Sequence, residues 1–189
     1  SGAILKNYHF FYDLLVAATN YLLSIPVTDL VFRFYPVIFS LLLGVGSYYL
    51  IIKLFVSKIG IKRAKIAATF SLYLIYFGGS FGWIVEFLRE RHFGGESAFW
   101  ANQAISFNLN PPFAISLVIM IAILHFLLAS PLKGINRIVA VLLFGTLTSF
   151  KSYTGILMLG GLAVLVIIRF FGRRDFSYVW VFLLSSLLG

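Results

Sequence analysis

None of the 189 residues is cysteine, which excludes disulfides and thiolate metal sites. Charge is scarce as well: Asp, Glu, Lys and Arg make up 11% of the chain, and only six residues are acidic. No Asn-x-Ser/Thr triplet occurs, so nothing in the sequence favours a eukaryotic secretory membrane. The first residues lack the pattern of a cleavable signal peptide. The net charge is +9, but its Lys and Arg residues are scattered between apolar runs and form no stripe or motif that points to nucleic acid. Apolar surface is abundant instead, with 61% hydrophobic residues, 21 Phe, 10 Tyr and a mean hydropathy of +1.00. A soluble core cannot hide so much, and the composition predicts an integral membrane protein.

The expected fold is all-α: a polytopic transmembrane helix bundle with an N-terminal interfacial helix, forming one domain over 1–189. Over 8–24, Phe10, Phe11, Leu14, Leu15, Ala18, Tyr21 and Leu22 recur at helical spacing, while His9, Asp13, Asn20 and Ser24 form a narrow polar stripe. Pro26 closes this element. Spans are expected at about 33–55 and 64–77, the latter with a possible extension to 88 through the break at Gly78-Gly79-Ser80. Further spans are expected at about 112–130, 134–149 and 153–169, followed by a short apolar run over 176–189. Asn110-Pro111-Pro112 reads as a cap followed by first-turn proline. Both ends of the chain read as cuts in a larger protein.

The break between 149 and 153 follows from length. Ile138 to Phe171 would measure about 51 Å as one helix, against an apolar bilayer core of about 30 Å. The run has to turn, and its polar patch, Thr146 to Thr154 with Lys151 inside, is where it can. The connections 53–65, 131–137 and 169–175 then share one side with ten of the fifteen Lys and Arg residues. By the positive-inside rule that side is cytoplasmic, in a plasma (inner) membrane. Lys151, residues 1–33 and the loop 86–110 fall on the other side, with Asp13, Asp29, Glu86, Glu90 and Glu96.

Two segments resemble a known family. Tyr8-His9-Phe10-Phe11-Tyr12-Asp13, followed by Arg33-Phe34-Tyr35-Pro36 and a span ending Tyr48-Tyr49-Leu50 and Leu54-Phe55, looks like the region after the first luminal loop of GT-C membrane glycosyltransferases. Leu143-Phe144-Gly145-Thr146-Leu147-Thr148-Ser149-Phe150-Lys151 is similar to the Gly-Leu-x-x-x-x-Lys helix end of protein mannosyltransferase-like and aminoarabinose transferase-like members. The resemblance implies transfer of a sugar from a polyprenyl-phosphate carrier to an acceptor on the extracytoplasmic side. Such chemistry needs an acidic acceptor base and cations for the departing lipid phosphate. In the family the acid lies near the end of the first span. That span has no counterpart here: either it was cut away with the N-terminus, or the chain is inactive as given.

Each candidate residue has two readings. Lys151 is either the cation for a carrier phosphate or a lysine snorkelling to the interface from a helix end. Arg33 is a second phosphate ligand or an interfacial anchor. Asp13 with His9, four residues apart, is an acid/base or metal pair, or part of a solvated interfacial stripe. Glu86, Glu96, Arg89, Arg91 and Trp100 are substrate-binding residues of the loop region or its solvated, interfacial complement. No metal site is expected from these residues, although a divalent metal is compatible with the chemistry and the cofactor is left open. The partners expected are a polyprenyl-phosphate-linked sugar and the bilayer, with the acceptor undefined and no nucleic acid. A transporter or channel segment, or a non-catalytic membrane subunit, is the alternative. A transporter would want a polar path through the bilayer, where His125 is the only mid-span ionisable residue.

Overall fold

The computed structural model describes residues 10–78, 82–91, 110–129, 132–173 and 176–188, and among these there is helix but no strand. The helices are α1 (Phe11–Leu23), α2 (Val27–Asp29), α3 (Tyr35–Phe77), α4 (Gly82–Glu90), α5 (Pro111–Ala129), α6 (Ile135–Phe150), α7 (Ser152–Arg173) and α8 (Ser177–Leu188). Val27–Phe77, Pro111–Leu128 and Ser152–Gly172 are long and apolar enough to cross a membrane. Only a minority of the residues in these stretches are buried inside the protein. The outward apolar side chains suit a lipid surround, where packing between helices is left to small and polar residues. The chain is a helical membrane protein.

Local chemistry explains how α1 ends and α3 begins. Ser24 takes a left-handed conformation (φ 55°) and donates its N–H to the Asn20 carbonyl at 2.8 Å. The Asn20 side-chain amide donates to the Ile25 carbonyl at 2.7 Å, so the polar stripe of α1 supplies its own terminator. Between α2 and α3, Leu30–Phe34 forms a π-helical turn in which the Tyr35 N–H reaches back to the Leu30 carbonyl. Pro36 follows directly and has no N–H to offer, and a ring there crowds the preceding turn, which the wider π turn relieves.

The expected connection over 53–65 is not a loop. Helix runs through it and breaks at Gly60 alone (φ 76°, ψ 161°). Val27–Phe77 as one straight rod would measure about 77 Å. Instead the Tyr76 hydroxyl donates to the Ser40 carbonyl, so the two arms of α3 lie back to back. Ala64 and Ala68, both fully buried, keep that approach close. Gly44 faces Tyr76 of the second arm, while Gly46, about 200° further round the helix, faces Ile121 of α5. The second arm stops at Phe77, where Gly78 is extended, so α4 is a separate element and not a continuation of the span.

Contacts between helices set the direction of each. Tyr35, Phe39 and Leu43 of the first arm of α3 pack with Ala114 and Ile115 of α5, and Lys53 reaches the His125 carbonyl at 3.4 Å, so this arm and α5 run in parallel. α6 returns, bringing Phe150 beside Phe11 of α1 with ring centroids 5.7 Å apart. α7 runs back again, and α8 lies parallel to α6, with Arg137 bonded to Ser177 and the Ser185 hydroxyl to the Val141 carbonyl. One end of the bundle therefore holds α1, Tyr35, Asn110 and Lys151, and the other holds Gly60, Gly134 and Ser177.

Gly60 sits in a backbone region that only glycine occupies without strain, and a Cβ there would meet no atom within 4 Å. Gly60→Ala should therefore cost about 1–3 kcal/mol through backbone strain alone. A lowered thermal unfolding midpoint in detergent checks this, and an unchanged midpoint would show that the hairpin does not depend on this conformation.

Candidate functional site at the Lys151 corner

The corner forms where α6 stops and α7 starts. Lys151 is the one extended residue between them (φ −157°, ψ 111°); its N–H bonds the Leu147 carbonyl, and its carbonyl accepts from Gly155, both at 3.0 Å. The turn is tight because Gly155 lies against the backbone of Thr148, where a Cβ would come within 2.6 Å of the Thr148 Cα. Lys151 is half-buried, with Nζ 5.5 Å from the centroid of the Tyr153 ring, a cation–π contact. Tyr153 in turn packs on Phe113 of α5, with centroids 5.9 Å apart.

Much of the hydroxyl content of the patch is committed to structure. Thr146 bonds the Leu142 carbonyl at 2.7 Å and Thr148 the Gly145 carbonyl at 3.1 Å, both within α6. Thr154 is buried and 3.1 Å from the Ser116 hydroxyl of α5. Ser116 donates its single proton to the Phe113 carbonyl at 2.7 Å, so Thr154 is the donor to Ser116. This bond ties the start of α7 to the first turns of α5, which Asn110 caps through its side-chain oxygen, 3.4 Å from the Phe113 N–H.

α1 closes one side of the corner. Phe11 sits edge-on to Phe150, and Tyr12 edge-on to Tyr35, with centroids 6.1 Å apart. Tyr35 donates to Thr19 at 2.7 Å, and Thr19 to the Leu15 carbonyl at 2.8 Å, fastening α3 to α1. Tyr12 is only 6% exposed, yet its hydroxyl has no hydrogen-bond partner among the described residues. Burial, with the proximity of Tyr35 and Asp13, pushes its pKa up to about 12.

The other predicted site residues are distributed unevenly. Asp13 is exposed on α1 at the Lys151 end. Arg33 is at the same end but points outward, 77% exposed, in an ion pair with Asp29 at 2.9 Å. Arg89 and Arg91 are exposed at the end of α4, where Arg91 has a left-handed backbone (φ 59°). His9, Glu96, Trp100 and the side chain of Glu86 lie outside the described residues. His125 bonds the Gly46 carbonyl at 2.8 Å, a role in packing α5 on α3. Among the described residues no group of three or more His, Asp and Glu is placed to hold a metal ion. Sequence reasoning passed over Tyr12, Tyr35, Ser116 and Tyr153. The signal for Tyr35 was its spacing of four from Phe39 and eight from Leu43, a buried stripe.

Comparison of the chain with protein families, characterised proteins and solved structures finds no match. The functional reading rests on the corner itself.

An unfolded tyrosine ionises near pH 10. Tyr12 holds its proton to about pH 12 when folded, so its contribution to stability is intact below pH 10 and lost as pH rises from 10 to 12. Tyr12→Phe should remove this part of the alkaline loss and change neutral-pH stability by no more than about 1 kcal/mol, because it deletes a hydroxyl with no partner among the described residues. Thermal melts of both proteins across that pH range check the difference.

Proposed function

We propose that the chain belongs to a membrane glycosyltransferase of the GT-C kind, or forms part of one, transferring a sugar from a polyprenyl-phosphate carrier to an acceptor. In this reading the Lys151 end faces the extracytoplasmic side, and the basic connections at the opposite end face the cytoplasm. The observation that carries the proposal is the position of Lys151, the single extended residue between two apolar helices.

A departing lipid phosphate needs positive charge at the membrane surface, where its isoprenoid tail stays in the apolar layer. Lys151 offers an ammonium point charge. The first-turn amides of α7, at Ser152, Tyr153 and Thr154, have no intrahelical acceptor, and the helix dipole favours an anion there. Tyr153 and Phe113 give the corner an apolar wall, and their contact holds the ring beneath the lysine. Arg33 at the same end is exposed and paired with Asp29, which favours its reading as an interfacial anchor over that of a second phosphate ligand. Asp13, exposed on α1, is the described carboxylate available at this end for proton chemistry.

The test is sugar transfer from a radiolabelled polyprenyl-phosphate sugar by the full-length protein. Lys151→Ala should lower kcat/KM by about a hundredfold or more, and Lys151→Arg should retain part of the activity. Thermal stability should change little, because Lys151 is only half-buried. Wild-type transfer by Lys151→Ala would refute the role. A second substitution separates position from charge. Gly155→Ala should lower both activity and the unfolding midpoint, since the Thr148 backbone cannot yield to a Cβ.

A further inference from the structure

At the end opposite Lys151, α6 and α8 leave a groove of about 440 Å³ on the outer face of the bundle. Its floor is the buried pair Val141 and Val181. Its walls are Ile138, Leu142, Trp180 and Leu184, all exposed. In a membrane protein such a face is in contact with lipid, and bulk acyl chains would account for an apolar groove by themselves. The mouth is different, because it carries Arg137.

Arg137 is held in place. Its Nε donates to the Leu132 carbonyl at 3.0 Å and one Nη to the Ser177 hydroxyl at 3.1 Å, which fixes the plane of the guanidinium. The second Nη, and the remaining N–H of the first, have no acceptor among the described residues, and the side chain is exposed. α6 and α8 both begin here, so their positive dipole ends lie beside the guanidinium. Lys133 lies just before α6, and Arg169 is stacked over Tyr178 at 5.5 Å. Of the described acids, Asp13 and Asp29 are at the far end of the bundle; Asp175, two residues before Ser177 in the sequence, lies outside the described residues. A cation whose orientation is already fixed, set at the polar edge of an apolar groove, matches an anionic head with an apolar tail.

We propose that the groove between α6 and α8 binds an anionic glycerophospholipid, with one acyl chain against Trp180 and the phosphate on Arg137. The inference is independent of the sugar-transfer reading, since it concerns the other end of the bundle and is measured by binding alone.

Trp180 supplies the probe. The chain has three tryptophans, and Trp83→Phe with Trp100→Phe leaves Trp180 as the sole emitter. The full chain in dodecylmaltoside micelles is titrated with phosphatidylglycerol, and separately with phosphatidylcholine, brominated on the acyl chains. Half-quenching of Trp180 should need about fivefold less of the anionic lipid. Arg137→Gln should erase that fivefold difference while zwitterionic quenching persists, and Arg137→Lys should keep part of it. In the Arg137 protein, unbrominated phosphatidylglycerol should relieve quenching about fivefold better than phosphatidylcholine, a readout that needs no change at Arg137. Equal half-quenching by the two lipids would overturn the proposal, as would a preference that survives Arg137→Gln. So would a Trp180 shielded from both lipids in proportion to protein concentration, which would make the occupant a second copy of the chain.

Discussion

The approach of Gly155 to the Thr148 backbone is the contact on which the Lys151 end of the bundle depends. An apolar run too long for one crossing has to reverse, and in an apolar medium a reversal exposes peptide groups that no water can satisfy. Here the reversal is confined to one residue. Lys151 breaks the helix, but its own N–H and carbonyl are both bonded to neighbouring turns, so the break itself leaves neither of these groups unpaired. A Cβ at position 155 would push the two helices apart. The Ser116–Thr154 bond and the Phe113–Tyr153 contact, which join α7 to α5, rely on the same closeness.

Gly60 solves the same problem at the other end by a different means. It reverses α3 through backbone angles reserved for glycine, and small residues then let the two arms meet. The two reversals differ in what they place at the surface. Gly60 leaves no side chain, whereas the break at 151 puts an ammonium group over an aromatic ring at the start of a helix. That difference is why the Lys151 end carries the proposed phosphate chemistry. The remaining basic side chains near Gly60 and Gly134 suit the headgroups of a surrounding leaflet.

The helical membrane character and the break at Lys151 were legible because both follow from sums along the chain. Hydropathy adds residue by residue, and about 1.5 Å of rise per residue converts a run into a length. The cap at Asn110 was legible for a similar reason, being local to one turn. The reversal at Gly60 was harder to see. Its cluster of Lys and Arg suggested an extended connection, but charged side chains tolerate helix well, and a single glycine sufficed. The Asp29–Arg33 pair could have been read from its spacing of four, which on a helix places opposite charges together.

The sequence by itself determined that this is a helical membrane protein, roughly where its helices begin and end, and that Lys151 falls between two of them. These are local or additive properties, set by transfer free energies and backbone preferences. Only the tertiary structure decided which side chains share a surface. It turned Arg33 outward onto Asp29, buried the Tyr12 hydroxyl, directed the Thr154 proton to Ser116 and fixed the Arg137 guanidinium at the mouth of a groove. Each of these depends on the register of helices far apart in the chain, and register is set by where small residues let backbones meet.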